Sequence, residues 1–401
     1  MSTQITGQYF GKGGPLFRLY FLTAFLTLIT LGIYRFWGKT RMRKYIWSAT
    51  TGDGDSFEYT GTGLEKFLGF LVAIVILAIY LGIVQMILLF FGLNLFSEPT
   101  TQTQALAQIG AIYITFFAVL PLLLFAQYRA RRYKMARTRW RGIRFGMDNG
   151  AWGFAFRALG YYLLNALTIG LLNPLATFRL EKYMADRSWY GDGAFVQNGR
   201  WQDLYGGMKH VFIGLAILIA GAIVVFALLG SGVIGGIAVF VGYTWFLIGL
   251  IYYRVFAFNY LTRNKVLDGQ VSFDANLETG RIVMVIIAGT IAIGVLAAII
   301  FGIIGLIFAS SMAVFIDGGL SAPSAAPTII ASVVSAVIYV GSLLVLGGLS
   351  LVMITQPIIE HAVNSVTLLN VDHLTNIQQR AADDGADAEG FADALDVGGA
   401  I

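Results

Sequence analysis

The hydrophobic pattern divides the chain into long apolar runs separated by short polar connections. Runs of this length are typical of membrane-spanning helices, which need about 20 consecutive apolar residues. Apart from Lys66 and Lys209 near their ends, the runs carry no Asp, Glu, Lys or Arg. The pattern therefore predicts six long transmembrane helices, at 66–93, 105–128, 208–230, 233–253, 282–315 and 327–356.

Two further apolar segments are interrupted. Segment 16–37 is broken near Thr30-Leu-Gly32, and segment 158–177 near Thr168-Ile-Gly170 and Asn173-Pro174. Basic residues flank 158–177 on both sides, and about 20 residues are too few to cross a bilayer and return. We therefore expect both segments to be re-entrant or interface-lying helical pairs, whose broken backbone must be covered by protein or water. The alternative is that both cross as ordinary spans, which gives eight spans in total.

The distribution of Lys and Arg predicts the orientation of the helices. The connections at 94–104, 230–232 and 316–326 contain no Lys or Arg. The segments at 35–66, 129–157, 178–209 and 254–281 are strongly basic. By the positive-inside rule, the basic segments lie in the cytoplasm. The C-terminus is expected on the same side.

Composition supports a membrane protein and excludes several kinds of site. Hydrophobic residues make up 57% and charged residues 12% of the chain, against about 25% charged in soluble domains. The absence of Cys excludes disulfides and thiolate metal sites, and the three His residues show no ligand spacing. We find no nucleophile motif, so we expect a protein that is not an enzyme and has no cofactor or metal. Because the apolar interiors lack ionisable residues, a proton-coupled carrier is disfavoured.

A Tyr and a Phe recur with nearly constant spacing after the basic helix ends. The pairs are Tyr45 and Phe57, Tyr133 and Phe145, Tyr183 and Phe195, and Tyr260 and Phe273. In three of the four pairs, an Asp-Gly or Gly-Asp-Gly sequence lies between the two aromatic residues. Asp-Gly favours the positive φ angles of tight hairpin turns. The pattern predicts an internal repeat in which a helix leaves the membrane, forms a short hairpin and re-enters.

These elements predict an all-α polytopic membrane protein with small cytoplasmic hairpin caps. We divide it into a first repeat at 1–150, a second repeat at 151–280, a third helical hairpin at 281–371 and an acidic cytoplasmic tail at 372–401. The tail carries seven acids between Asp372 and Asp396, with Arg380 as the only base.

Several motifs resemble those of a known family. They are Gly11-Lys-Gly-Gly14, Leu28-Ile-Thr-Leu-Gly-Ile-Tyr34, Gly52-Asp-Gly-Asp-Ser-Phe57, Leu167-Thr-Ile-Gly-Leu-Leu-Asn-Pro174 and Glu389-Gly-Phe-Ala-Asp-Ala-Leu-Asp396. The chain resembles the YjgN family of bacterial inner-membrane proteins over nearly its full length. That family is defined as a domain of unknown function. The resemblance implies a polytopic inner-membrane protein, and it assigns no catalytic residues.

The basic helix ends are the first candidate site. Eight cations and no acid occupy 129–144, and a cation near an anionic membrane surface contributes about 1 kcal/mol. We expect binding of anionic lipid headgroups, or of a protein partner or second copy, and no nucleic acid. The candidate residues are Arg35, Lys39, Arg41, Arg43, Lys44, Arg129, Arg131, Arg132, Lys134, Arg137, Arg139, Arg141, Arg179 and Lys182. The alternative is that these charges only set topology and pair with the acidic tail at Asp383, Asp384 and Asp387.

The interrupted segments are the second candidate site. Their polar residues are Thr23, Thr27, Thr30, Asn165, Thr168 and Asn173. A passive channel or small-molecule exporter would line its path with these residues. Alternatively, they satisfy the broken backbone or hydrogen-bond between helices.

Overall fold

A computed structural model describes residues 4–96, 98–227, 232–318 and 325–381. Its helices are α1 Gly13–Ile29, α2 Arg35–Ser48, α3 Gly63–Phe90, α4 Gln102–Ala136, α5 Ala151–Leu167, α6 Asn173–Ala185, α7 Lys209–Ala227, α8 Gly232–Arg263, α9 Thr279–Gly318, α10 Ala325–Ser350 and α11 Gln356–Asn364. Within these residues, six helices are long and apolar enough to cross a membrane. Most of the predicted acidic tail and parts of the connections 230–232 and 316–326 lie outside the described residues.

Ten short strands form a closed antiparallel barrel at one end of the helices. They are β1 Gln4–Tyr9, β2 Thr50–Gly52, β3 Asp55–Tyr59, β4 Thr138–Trp140, β5 Ile143–Met147, β6 Ser188–Tyr190, β7 Gly193–Gln197, β8 Lys265–Leu267, β9 Val271–Ala275 and β10 Val366–Leu369. The all-α prediction is therefore wrong. Strands this short carry too few residues to show an alternating pattern, and the predicted caps are the hairpins of one shared barrel. We call this end of the molecule the barrel end.

The barrel closes because the first strand pairs with the last. Strand β1 lies between β10 and β2, with Gln4 opposite Leu369 and Gly7 opposite Gly52. The other pairs join strands that are consecutive in the chain, and β2–β3, β4–β5, β6–β7 and β8–β9 are hairpins. Asp53-Gly54 and Arg141-Gly142 form two of their turns with positive φ at both residues, as tight two-residue turns require.

The barrel explains the spacing between the recurring Tyr and Phe residues. In each of four helical units, the Tyr hydroxyl bonds to a residue at the start of the unit. These bonds join Tyr45 to Lys12, Tyr133 to Glu65, Tyr183 to Gly150 and Tyr260 to Arg200. In a fifth unit, His361 accepts a bond from the backbone N–H of Glu278. The Phe that follows each Tyr is the third residue of its strand, and it lines the barrel interior. The nearly constant spacing therefore reflects the length of chain from the Tyr, near the end of a helical unit, to the Phe in the barrel interior. The internal repeat itself stays a prediction.

The two interrupted segments form helical hairpins. Leu31 and Gly32 have φ angles of 51° and 94° between α1 and α2, and Ile169 and Gly170 have 52° and 87° between α5 and α6. The left-handed region is costly for a residue with a Cβ, so these positions mark sharp breaks in the helix. The breaks lie where the sequence places them. The depth of these hairpins in the bilayer stays a prediction.

Helices α7 and α8 pack closely along a line of glycines. These glycines are Gly214 and Gly221 on α7, and Gly235, Gly242 and Gly249 on α8. A Cβ added at any of them would lie within 3 Å of a backbone atom of the facing helix. Small residues allow membrane helices to approach this closely, because no hydrophobic force drives the helices together in lipid. This pair is therefore held by direct backbone packing.

Candidate functional site

The barrel interior encloses a cavity of about 440 Å³. We call it the barrel chamber. Its walls are almost wholly apolar, and a ring of phenylalanines dominates them: Phe57, Phe145, Phe195 and Phe273. Gly7 of β1 also lines the chamber, and a Cβ there would lie 2.5 Å from the Val363 carbonyl oxygen. Phenylalanines on four strands thus line the chamber, and the end of α11 packs against a fifth strand, β1.

A second cavity of about 550 Å³ adjoins the barrel chamber on the side of the helices. We call it the funnel, because it lies between the ends of α2, α4 and α11. Both cavities are lined by Thr50, Phe57, Phe145 and Val363. The charged residues lining the funnel are Arg131 and Lys134. The two cavities together form a largely apolar interior, with two cations on the side of the helices.

Residues 371–381 cover the opposite end of the barrel, and we call this segment the plug. Val371, Leu374 and Ile377 are buried in the barrel core. Asp192 holds the chain beyond them: its backbone N–H donates to the Gln378 carbonyl, and its carboxylate accepts from the Gln378 N–H, both at 2.8 Å. The plug therefore packs against the core at the end of the barrel that lies away from the helices.

A charged cluster joins three elements next to the funnel. The Glu181 carboxylate on α6 accepts two bonds from the Arg131 guanidinium on α4, at 2.7 and 3.0 Å. Its Oε1 also accepts a bond of 3.1 Å from Lys265 Nζ on β8. Burial opposes ionisation of Glu181, but Arg131 and Lys265 outweigh it and lower the pKa of the carboxyl from 4.5 to about 2. Glu181 therefore ties two helices to the barrel as a carboxylate.

The pKa of Glu181 predicts a loss of stability in acid. Because its pKa is lower in the folded protein, the stabilisation is complete above pH 4.5 and is lost as the pH falls from about 4.5 towards 2. The unfolding temperature of the detergent-solubilised protein should fall across this interval more than that of Glu181→Gln. Parallel pH profiles for the two proteins would contradict this assignment.

The structure places the predicted cations in different environments. Exposed positions are held by Arg35, Arg41, Lys44, Arg139 and Arg179, and half-buried ones by Lys39, Arg129 and Lys134. Four of the predicted cations form ion pairs. Arg131 pairs with Glu181 and Arg137 with Glu65. Arg141 pairs with both Asp53 and Asp55, and Lys182 pairs with Asp186. Arg43 and Arg132 are buried. The predicted set is thus in part a basic surface and in part structural.

The structure separates the two groups of predicted path-lining residues. Helix α1 packs against α2 and α10, whereas α5 packs against α4 and α6. Thr23 and Thr27 line a groove of about 350 Å³ that includes no residue of α5. The threonines bond within their own helices: Thr23 to Leu19, Thr27 to Thr23, Thr30 to Leu26 and Thr168 to Leu164. Asn165 and Asn173 lie half-buried on α5 and at the start of α6.

Glu181, Lys265 and the phenylalanine ring are not recognisable from the sequence as parts of one site. Glu181 lies between cations in the basic end of α6, so a single acid changes the net charge of this segment little. The available signal is an acid between Arg179 and Lys182 in the predicted basic segment 178–209. The phenylalanines were noticed for their spacing, but only barrel closure brings them into one ring.

Comparison with known proteins identifies the family to which the chain belongs. Residues 4–394 match the model of a family described as "Bacterial protein of unknown function (DUF898)". The chain belongs to this family. The resemblance to YjgN proteins is confirmed by relatives of that name, which place this DUF898 member in the bacterial inner membrane.

Three such relatives define the extent of the similarity. Inner membrane protein YjgN of Salmonella typhimurium LT2 is 28% identical over 40% of this chain and 36% of its own length. The proteins of the same name from Escherichia coli O157:H7 and K12 are 26% and 24% identical, over 37% and 42% of this chain. The matching segments span 33% and 37% of those two proteins. No solved structure matches this DUF898 protein.

Proposed function

We propose that this protein is a non-enzymatic inner-membrane protein that binds anionic lipid headgroups through the basic residues of α2, the helix that leads into β2 of the barrel. The observation that carries the proposal is the exposed basic face of α2. Arg35, Arg41 and Lys44 are exposed on this helix. The tip of the same hairpin exposes apolar residues, with Leu31 94% exposed. An amphipathic unit of this kind suits the boundary between headgroups and acyl chains.

Aromatic residues support the interfacial position of α2. The Arg41 guanidinium lies 5.7 Å from the centre of the Tyr34 ring, and the Trp37 ring stacks against Tyr34 with a centroid distance of 6.3 Å. Trp and Tyr are enriched at the headgroup level of membranes, where their rings meet both apolar and polar surroundings. By the positive-inside rule, we expect this face in the cytoplasmic leaflet. The internal repeat, if each unit carries such a helix end, would distribute similar contacts around the barrel.

The channel hypothesis receives less support from the interrupted segments. A path built from α1 and α5 needs their polar side chains to face a common space. Thr23 and Thr168 instead donate to carbonyls of their own helices, as expected where polar groups compensate for apolar surroundings. We therefore favour headgroup binding.

The test compares two double variants that remove the same charge. Arg41→Gln with Lys44→Gln removes two exposed cations from α2, whereas Arg200→Gln with Arg263→Gln removes two exposed cations nearer the barrel. At about 1 kcal/mol for each cation, the α2 variant should bind phosphatidylglycerol about 30-fold more weakly. Titration of the solubilised protein with short-chain phosphatidylglycerol, and with phosphatidylcholine as reference, measures this. Equal losses in both variants, or equal binding of the two lipids, would refute the proposal.

A further inference from the structure

We propose that the barrel chamber and the funnel together bind one acyl chain that ends in an anionic group. The chain would lie in the barrel chamber, and its carboxylate or phosphate would lie beside Arg131 and Lys134. This inference deepens the proposed function, since it takes its ligand class from anionic lipid. It assigns a separate site, inside the protein instead of on the face of α2.

The barrel chamber has the chemistry of an acyl-chain site. Four phenylalanine rings, together with Leu267 and Leu368, line about 440 Å³, within the range of roughly 300–1,000 Å³ typical of small-molecule sites. Each of the four phenylalanines is only partly buried although it lies inside the barrel. Their remaining exposed surface therefore faces the chamber, where an apolar ligand would cover it.

The plug restricts the ligand to one that enters from the helix side. Leu374 is buried in the barrel core and also lines the chamber. Because the plug packs into this end, a ligand that enters from the helix side would keep its charged group in the funnel. The site therefore favours a ligand with one apolar end and one polar end, and it disfavours a solute in transit.

The funnel provides the charge for the polar end. Arg131 and Lys134 line it, and no acid is among the described residues of its lining. Glu181 holds the Arg131 guanidinium in a bidentate ion pair from outside this lining. Arg131 and Lys134 therefore place two cationic side chains along the funnel wall, and charged hydrogen bonds from such groups to a carboxylate or phosphate are strong.

The surroundings of the funnel indicate that the ligand comes from the bilayer. In the six candidate spans, only 6% to 17% of the most apolar window is buried inside the protein. The spaces between the helical pairs are therefore filled by lipid, and the funnel lies at the bilayer side of the barrel. Trp47 Nε1 on α2 donates a bond of 3.0 Å to Thr138 Oγ1, which joins α2 to the start of β4 at the funnel wall. An amphiphile in the bilayer can thus reach the funnel without crossing water.

The test uses the full-length protein in detergent and cis-parinaric acid, a fluorescent fatty acid, as the probe. We expect saturable binding that palmitate displaces at least tenfold better than hexadecanol, which has the same chain length without the charge. Displacement by palmitate alone assigns a carboxylate end group, and displacement by lysophosphatidylglycerol as well assigns a site that also takes phosphate. Absence of saturable binding, equal displacement by hexadecanol, or equal displacement by two-chain phosphatidylglycerol would overturn the proposal.

Two variants separate the chamber from the funnel. Ala362→Phe adds a ring to the chamber lining and should weaken both palmitate and hexadecanol at least tenfold. Lys134→Gln should weaken palmitate alone, and it serves if Ala362→Phe does not fold. Unchanged palmitate binding in a folded Ala362→Phe protein, or in Lys134→Gln, would overturn the proposal.

The α2 double variant distinguishes this site from the headgroup site. Arg41→Gln with Lys44→Gln should retain palmitate binding while it loses phosphatidylglycerol. Fatty-acid binding without headgroup binding in the wild type would refute the proposed function and support the cavity site. The reverse result would refute the cavity site alone.

Discussion

Glu181→Gln is expected to lower the free energy of unfolding by about 3 kcal/mol, because it leaves two cations without their shared counter-charge. Glu181 is 19% exposed, Arg131 31% and Lys265 22%, so solvent screens the cluster only in part. Gln has nearly the same shape, which limits the change to charge and to the lost charged hydrogen bonds. Thermal unfolding in detergent at neutral pH measures the effect.

Glu58→Gln is the matched control for this substitution. Glu58 is an exposed carboxylate on β3, and its neutralisation should change the free energy of unfolding by less than about 0.5 kcal/mol. If both variants unfold at the wild-type temperature, Glu181 does not hold α4, α6 and β8 together.

Gly242→Leu is expected to separate α7 from α8 and to lower the free energy of unfolding by about 3 kcal/mol. A Cβ at Gly242 would lie 2.4 Å from the backbone nitrogen of Leu218. Backbone atoms cannot rotate away as a side chain can, so the helices must move apart and lose the neighbouring contacts. Since the protein has no Cys, a disulfide between cysteines introduced on the two helices can report their distance.

Gly236→Leu tests whether a leucine elsewhere on the same helix has the same effect. Gly236 lies on the same helix, and a Cβ there would meet nothing within 4 Å. This variant should cross-link and unfold like the wild type. Similar losses in both variants would mean that α8 does not tolerate leucine, and would contradict the backbone-packing argument.

The helical part of the fold could be predicted because its signals are local. Uncharged runs mark the six long helices, and Gly32 and Gly170 mark the two breaks. The barrel could not be predicted in this way. The pairing of Gln4 with Leu369 joins opposite ends of the chain, and three-residue strands such as β4 carry no alternating pattern. Even the turn at Arg141-Gly142 escaped recognition, because Arg is not a typical turn residue and only the glycine indicated it.

The candidate site was predictable to a similar extent. The sequence identifies which helix ends are basic. It does not show which cations are exposed and which are buried or ion-paired within the protein. Arg43 and Lys44 are adjacent, yet Arg43 is buried and Lys44 is exposed. Arg137 pairs with Glu65, which lies 72 positions earlier. Such pairings depend on the barrel that brings the helix starts and ends together.

The pairing of β1 with β10 has a consequence for synthesis. A ribosome adds about 5–20 residues each second, so β1 waits on the order of 20 s or more for its last partner to emerge. Until then, one edge of β1 and one edge of β9 stay open, and open edges can pair with strands of other chains. A chain that stops before Val366 would keep both edges exposed permanently. Pairing of β10 therefore covers the two strand edges that the partly synthesised chain leaves open.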